Sequence, residues 1–345
     1  MIIERKSRWQ EWFPINWERV LEIINESIPR YLETFFYAVG GIPLLLALLQ
    51  GITGILLVFY YTPGIPDAYE SVRHITQEVP FGWWIRGLHR WGAHLFILVV
   101  MLHMLRTFVI GSFKRPRELV WIMGALLLLV TLAFGFTGYS LIGDQLSYWA
   151  TIVGTSIAGS VPLVGGYLLT FMRGGWNVTS ETVTRFFALH AWVLPAIGGL
   201  LVIVHIVLMR LYGPMRVEPE EVDKAAGFFF WPDQIATEIV VILLFVLLLS
   251  TLAVVFPPPV GEPADPLHTP EHIRPEWYFL PVYSWLKLVP EAVGTIGLFI
   301  FVLVLIFWPF VEEWLGRFIP VKDWYVIVGT IVAVLYVVAI FAEAA

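Results

Sequence analysis

Eight histidines are spread along the 345 residues, and four of them fall as two pairs inside long apolar stretches: His89 with His103, and His190 with His205. An ionisable side chain at membrane depth is expensive and marks function by default. Fourteen residues advance an α-helix about 21 Å and return it to within about 40° of the same face, while fifteen overshoot by about 60°. Each stretch therefore offers one imidazole near each membrane surface. With the two helices face to face, the four rings form two stacked pairs across a bundle interior, the ligand set for two haems of type b with bis-histidine iron. A lone buried histidine is more often a hydrogen-bonded packing residue, but two pairs at matched spacing are poorly explained that way. His94, about 140° around the helix from His89, reads as such a packing residue, and His74, His268 and His272 fall in connections.

Glycine spacing gives a second, independent signal. Gly40 and Gly54 lie in one apolar stretch, Gly124 and Gly138 in another, each pair separated by the same fourteen residues as His89 and His103. A flat macrocycle between helices needs the backbone to approach closely, and glycine permits it. One such pair alone would mean only a helix contact. Arg86, Arg90 and Arg185, close before or after the first histidine of each pair, suit either haem propionates or interfacial snorkelling.

The elements that must hold these residues follow from composition. Of the chain, 58% is apolar and only 14% charged, against about 25% charged in soluble domains, and the mean hydropathy is +0.78. Such a chain cannot clothe a water-facing surface, so it reads as an all-α, polytopic membrane protein. The net charge of −6 and the lack of a long basic run argue against a nucleic-acid partner. Zero cysteines exclude disulfides, Cys-ligated clusters and thioether-linked haem, leaving histidine as the redox ligand.

Seven stretches approach the roughly 20 apolar residues needed to cross a bilayer: 38–60, 88–110, 119–141, 186–211, 235–256, 292–311 and 324–342. Fourteen of the 21 Lys and Arg residues fall in the N-terminal segment and in the loops 106–117, 210–224 and 317–322. That bias places the N-terminus on the cytoplasmic (n) side and Ala345 outside, on the p side, of an energy-transducing membrane, most simply a bacterial inner membrane. The expected organisation is an n-side amphipathic segment over 1–37, a four-helix haem-binding bundle over 38–212, a linker over 213–234 rich in Pro, Glu and Gly, and a three-helix module over 235–345. The amphipathic stripe is Trp17, Val20, Leu21, Ile24 and Ile28.

Several stretches resemble one family, the cytochrome b subunit of quinol:cytochrome c (bc-type) and plastid-type (bf) oxidoreductases. They are Arg86-Gly87-Leu88-His89-Arg90-Trp91, Phe113-Lys114-Arg115-Pro116-Arg117-Glu118-Leu119, Gly138-Tyr139-Ser140-Leu141, Arg185 to Leu194 with Pro195, and Pro275-Glu276-Trp277-Tyr278. The fifteen-residue step and seven spans are similar to the bf branch, in which cytochrome b is separate from a three-helix subunit. Gly261-Glu262-Pro263-Ala264-Asp265-Pro266 resembles that smaller subunit, as if the two were joined at 213–233. Two departures stand out: Ile142-Gly143 replaces the family's usual Pro-Trp, and Ala38 occupies the position of the cysteine that anchors an extra haem in the bf branch.

The resemblance implies a p-side quinol site between the 139–160 region and the Pro-Glu-Trp-Tyr loop, with Glu276, Tyr278 and Tyr139 as catalytic residues. Glu276 would take the quinol proton, since a carboxylate among aromatics at a membrane surface is placed for proton transfer. One electron would go to a Rieske iron–sulfur partner, and the other to the haem of His89 and His190, then to that of His103 and His205 and an n-side quinone. Arg210, Asp223 and Lys224 are candidates for the n-side pocket. A c-type cytochrome, lipid and a second copy of the complex are the remaining implied partners. The competing readings are a di-haem membrane anchor of a formate dehydrogenase or hydrogenase type, and a transporter that uses the histidines as proton relays.

Because no residue is cysteine, every haem must be held by axial ligation and packing alone. Acid acetone should extract all haem, and a haem stain on a denaturing gel should be blank at 39.3 kDa. A stained band there, in a preparation freed of cytochrome c, would overturn the cofactor assignment.

Overall fold

The structure, a computed structural model, describes residues 40–212, 232, 233, 235–271 and 273–344. The expected surface helix over 15–28, nearly all of the 213–234 connection, with Asp223 and Lys224, and His272 lie outside them. The described residues are helical, with no strand and one isolated bridge between Asp144 and Pro263.

All seven apolar stretches form helices. The first is α1 (Ile42–Val58), with Pro43 in its first turn, where a missing N–H costs nothing. A short amphipathic α2 (Asp67–Gln77) buries Ala68, Val72 and Ile75, and Asp67 and Glu70 face the positive end of its dipole. Then come α3 (Gly82–Val109) and α4 (Glu118–Tyr139). The long outer connection holds α5 (Gln145–Gly159) and α6 (Gly165–Arg173). The fourth crossing is built from α7 (Ser180–Ala188), a π-helical turn (Leu189–Val193) and α8 (Leu194–Tyr212). The last part contains α9 (Ile235–Val255), a 3₁₀ turn (Trp277–Phe279), α10 (Leu280–Leu288), α11 (Glu291–Ile306), α12 (Trp308–Leu315) and α13 (Trp324–Ala344).

Among the described residues, five helices are long and apolar enough to cross a membrane alone: α3, α4, the 33-residue run Ser180–Tyr212, α9 and α13. With 17 residues, α1 spans about 26 Å. The sixth expected span, 292–311, is not straight: it breaks at Phe307, and α11 and α12 diverge by 84°. Pro309, in the first turn of α12, cannot continue a preceding helix. The bend places Trp308 in a buried aromatic cluster with Phe113, Trp121, Trp324 and Tyr325. The Trp121 indole seals the joint by donating to the Leu305 carbonyl at 2.8 Å.

Packing follows a simple order. α1 lies on α3, α3 on α4, and α4 on α8; α9 and α13 lean on α3, α11 and α12 on α4. α3 and α8 have no extended backbone contact, so the bundle keeps a gap between the two histidine helices. Outward faces are apolar: Leu200, Leu243 and Leu335 are each more than 60% exposed, as suits hydrocarbon surroundings.

At the end of the bundle nearest Glu276 the two halves are stitched by backbone. The Gln145 N–H donates to the Glu262 carbonyl at 2.8 Å, and the Ala264 N–H to the Gly143 carbonyl at 3.2 Å. The Gln145 side chain accepts from the Asp265 N–H at 2.7 Å and donates to the His268 carbonyl at 2.6 Å. The turn accounts for Gly143: it has φ +75°, and an added Cβ would sit 2.8 Å from the Tyr69 backbone nitrogen, so only glycine fits.

Asp144 caps α5 by accepting from the Ser147 N–H at 2.8 Å. Asp144→Ala should therefore remove about 1 kcal/mol of local stability, seen as faster hydrogen exchange at the Ser147 amide, whereas Asp144→Asn should restore protection. Unchanged exchange in the alanine variant would refute the cap.

Candidate functional site

The four histidines meet in two places. His89, near the start of α3, and His190, in the π turn, have ring centroids 6.3 Å apart with planes at 76°. Two metal–imidazole bonds of about 2 Å, plus about 1.1 Å from each nitrogen to its ring centre, give nearly that separation. Each Nδ1 is held by a threonine of the adjacent helix: Thr53 Oγ1 of α1 lies 2.9 Å from His89 Nδ1, and Thr137 Oγ1 of α4 lies 3.0 Å from His190 Nδ1. Both hydroxyls donate their single proton to their own helix, Thr53 to the Leu49 carbonyl and Thr137 to the Ala133 carbonyl. They must then accept from the imidazoles, which puts the proton on Nδ1 and leaves the Nε2 lone pair free for a metal.

The second pair is furnished differently. Neither ring meets a threonine: His103 Nδ1 is buried without a hydrogen-bond partner among the described residues, and the His205 ring is turned to the Val120 backbone carbonyl. No group of three or more His, Cys, Asp or Glu stands ready to cage an ion among those residues. Ligands in twos suit a metal whose other bonds come from a macrocycle.

The unequal spacing of the two pairs has a local cause. His190 sits in the π turn, where the Leu194 N–H reaches back to the Leu189 carbonyl, five residues earlier. A π turn accommodates one extra residue without advancing the helical register. The fifteen-residue step from His190 to His205 therefore acts as the fourteen-residue step from His89 to His103, and both helices present their rings on matching faces.

The glycines fit against the imidazoles themselves. A Cβ at Gly54 would lie 3.3 Å from His89 Cε1, one at Gly138 only 2.6 Å from His190 Cε1, and one at Gly124 3.5 Å from His205 Cε1. Gly40 lies in the exposed turn before α1. The sequence motif that marks the first histidine pair is in fact Thr-Gly, present as Thr53-Gly54 and Thr137-Gly138, and its threonines were not among the expected site residues.

A second cluster lies beside the first pair. Arg90, the residue after His89, donates to Glu276 Oε1 at 2.5 Å and stands over the Tyr139 ring, 5.5 Å from its centroid. Tyr139 is buried and its hydroxyl has no hydrogen-bond partner among the described residues. Tyr278 is 5% exposed; burial, and then the nearby Glu276, push its phenol upward, so it remains protonated. Its ring enters the bundle at Gly135, where a Cβ would lie 2.9 Å from the hydroxyl. Its carbonyl accepts from the Tyr336 hydroxyl of α13 at 2.9 Å. Glu276, Tyr278 and Tyr139 thus converge, as their spacing could not have shown.

His94 is hydrogen-bonded within the packed interior, in keeping with its sequence reading, and its contacts reach the Glu276 cluster. Its Nδ1 accepts from the Trp277 indole N–H at 3.0 Å, and its Nε2 faces Glu276 Oε2 at 3.9 Å. Arg86 binds the Pro258 and Pro259 carbonyls at 2.9 and 2.7 Å, and Arg185 binds the Phe171 carbonyl at 2.6 Å. Those two arginines anchor outer loops here. Arg210 lies at the exposed end of α8, away from the Glu276 cluster.

Comparison with known proteins gives a consistent result. Residues 23–213 match the family model described as cytochrome b/b6/petB, and residues 263–344 that of cytochrome b(C-terminal)/b6/petD. The cytochrome bc complex cytochrome b subunit of Chlorobaculum thiosulfatiphilum is 38% identical over 84% of this chain and 69% of its own length. Cytochrome b of Acanthamoeba castellanii is 33% identical over 94% of each chain. Cytochrome b6 of Heliomicrobium gestii is 42% identical, spanning 60% of this chain and 97% of its own. A solved structure titled "Hyperthermophilic respiratory Complex III" superposes with a TM-score of 0.76 at 29% identity, covering 97% of each chain.

The glycine contacts make a graded prediction. Gly138→Ala forces the His190 ring to move, whereas Gly124→Ala adds only ordinary contact with His205. Haem content should fall toward half in the first variant and stay near normal in the second, measured by pyridine haemochrome on folded protein. Equal behaviour of the two would refute the cradle.

Proposed function

The chain belongs to the cytochrome b family and is an integral membrane b subunit of a bc-type complex, and on that premise we propose that it oxidises quinol at its p-side end. One electron leaves to a Rieske iron–sulfur partner and then to a c-type cytochrome, and protons are released outside, building proton-motive force. The division into a four-helix bundle (38–212) and a three-helix quinol-site module (235–345), the n-side N-terminus and a dimeric complex belong to the same proposal.

The observation that carries it is the convergence of Glu276, Arg90 and Tyr139 next to His89. A carboxylate held by one oxygen leaves the other to receive a proton, and the unpartnered Tyr139 hydroxyl is free to orient a quinol oxygen. Protonated Tyr278 supplies a further donor. His89 with His190 fits a non-covalent haem b by ring separation, the Nδ1–H tautomer and the glycine cradle, and His103 with His205 fits a second by their facing placement and the glycine contact at Gly124. Haem iron on these ligands supplies one-electron transfer between the two depths, and so a path for the second quinol electron toward an n-side quinone site near Arg210, Asp223 and Lys224. A di-haem anchor of another respiratory enzyme has no need of a half-buried ion pair between Arg90 of the histidine helix and Glu276 of a distant loop, so quinol oxidation is the better reading.

Glu276→Gln keeps the shape and removes the proton acceptor. Quinol oxidation by the intact complex should slow about a hundredfold, with both haem spectra and n-side quinone reduction near normal. Unaltered turnover would remove Glu276 from the mechanism.

A further inference from the structure

We infer that His94 is the positioning residue that fixes Glu276 in its Arg90-paired pose, by holding the neighbouring Trp277 indole; this rests on the quinol-site reading above. Glu276 and Trp277 are consecutive, and the backbone leaves Glu276 in an extended conformation (φ −57°, ψ 151°) before the 3₁₀ turn. Fixing the indole therefore fixes where the carboxylate starts.

The chemistry of the contact is one-directional. An indole N–H can only donate, so the bond of 3.0 Å from Trp277 Nε1 requires an unprotonated Nδ1 on His94. The neutral ring then carries its proton on Nε2, the nitrogen that faces Glu276 Oε2 at 3.9 Å. That distance exceeds a direct hydrogen bond, but it points a positive edge at the oxygen that Arg90 does not hold. A nitrogen already bearing hydrogen cannot take a proton from Glu276. His94 is thereby a support for the carboxylate and not the next stop for its proton.

The pocket around the ring is consistent with a fixed orientation. Trp91 lies 5.6 Å from the His94 ring centroid and Tyr278 6.2 Å. Glu276 is faced by Arg90 and His94 from α3, by Tyr139 from α4, and by Tyr278 of its own loop. Asp144 stands near Tyr139. Arg90 alone would leave the carboxylate free to swing about the Oε1 contact. The indole anchor removes that freedom from the other side.

The test separates anchor from relay and from mere packing, in the assembled complex with haem. The infrared carboxylate band of Glu276, identified as the band that Glu276→Gln deletes, reports its hydrogen bonding without turnover. His94→Leu removes both nitrogens at similar volume; His94→Asn keeps an acceptor where Nδ1 lies but cannot relay a proton. The band should shift in His94→Leu and return in His94→Asn, and kcat should fall about tenfold in the leucine variant with KM little changed and recover in the asparagine variant. Trp277→Phe, which removes only the donor, should shift the band as His94→Leu does and serves if the leucine variant does not assemble. An unshifted band in His94→Leu or Trp277→Phe, or failure of His94→Asn to restore it, overturns the proposal. A shifted and restored band in a complex that does not oxidise quinol would support the anchor while refuting the quinol-oxidation reading.

Discussion

One imidazole faces another at each of two depths about 21 Å apart, and the rest of the structure depends on that registration. It is not met by packing α3 directly on α8, because close backbones would drive the facing rings into one another. The structure instead docks each of these helices on a neighbour, α3 on α1 and α4, and α8 on α4. Those neighbours carry the glycines and threonines that set the rings. α4 serves both depths of α8, through Thr137 and Gly138 at one end and Gly124 at the other. Its rotation therefore governs both sites at once.

The outer end adds a second constraint, that a loop from the last three helices must reach the first four and stay there. Single surface ion pairs stabilise little, and the connection relies on something firmer. Backbone bonds join 143–145 to 262–265, Arg86 gathers the Pro258 and Pro259 carbonyls, and Tyr336 of α13 holds the Tyr278 carbonyl. Several such bonds acting together hold the loop more firmly than any one surface ion pair. The loop is thus held along its length before Arg90 and Glu276 meet.

The sequence made the helices legible because hydropathy and length decide membrane spans almost by themselves. The paired histidines were legible because buried imidazoles are rare. Three things were hidden. The extra residue between His190 and His205 looked like a 60° misalignment, since a π turn has no residue signature. The break at Phe307 was masked by the apolar residues on both sides, although Pro309 marks it in retrospect. The angle of His94 relative to His89 marks it as a packing residue but does not name its partner: Trp277 lies 183 residues away, and helical periodicity says nothing about such a contact. The Thr-Gly pairs were visible and went unread, because threonine in an apolar helix ordinarily bonds only its own carbonyl.

The two histidine pairs are not equivalent, and the difference lies in the neighbours, not the ligands. At the Glu276 end, each ring donates from Nδ1 to a threonine oxygen that is itself oriented by a backbone carbonyl. Such donation fixes the tautomer and makes Nε2 a stronger electron donor. At the other end no threonine takes that place: the His205 ring is turned to the Val120 backbone carbonyl, and Met123 rather than threonine precedes Gly124. Two pairs of one residue type are thereby given different surroundings by a hydroxyl on the adjacent helix. One hydroxyl beside each ring is enough to make the two depths chemically distinct.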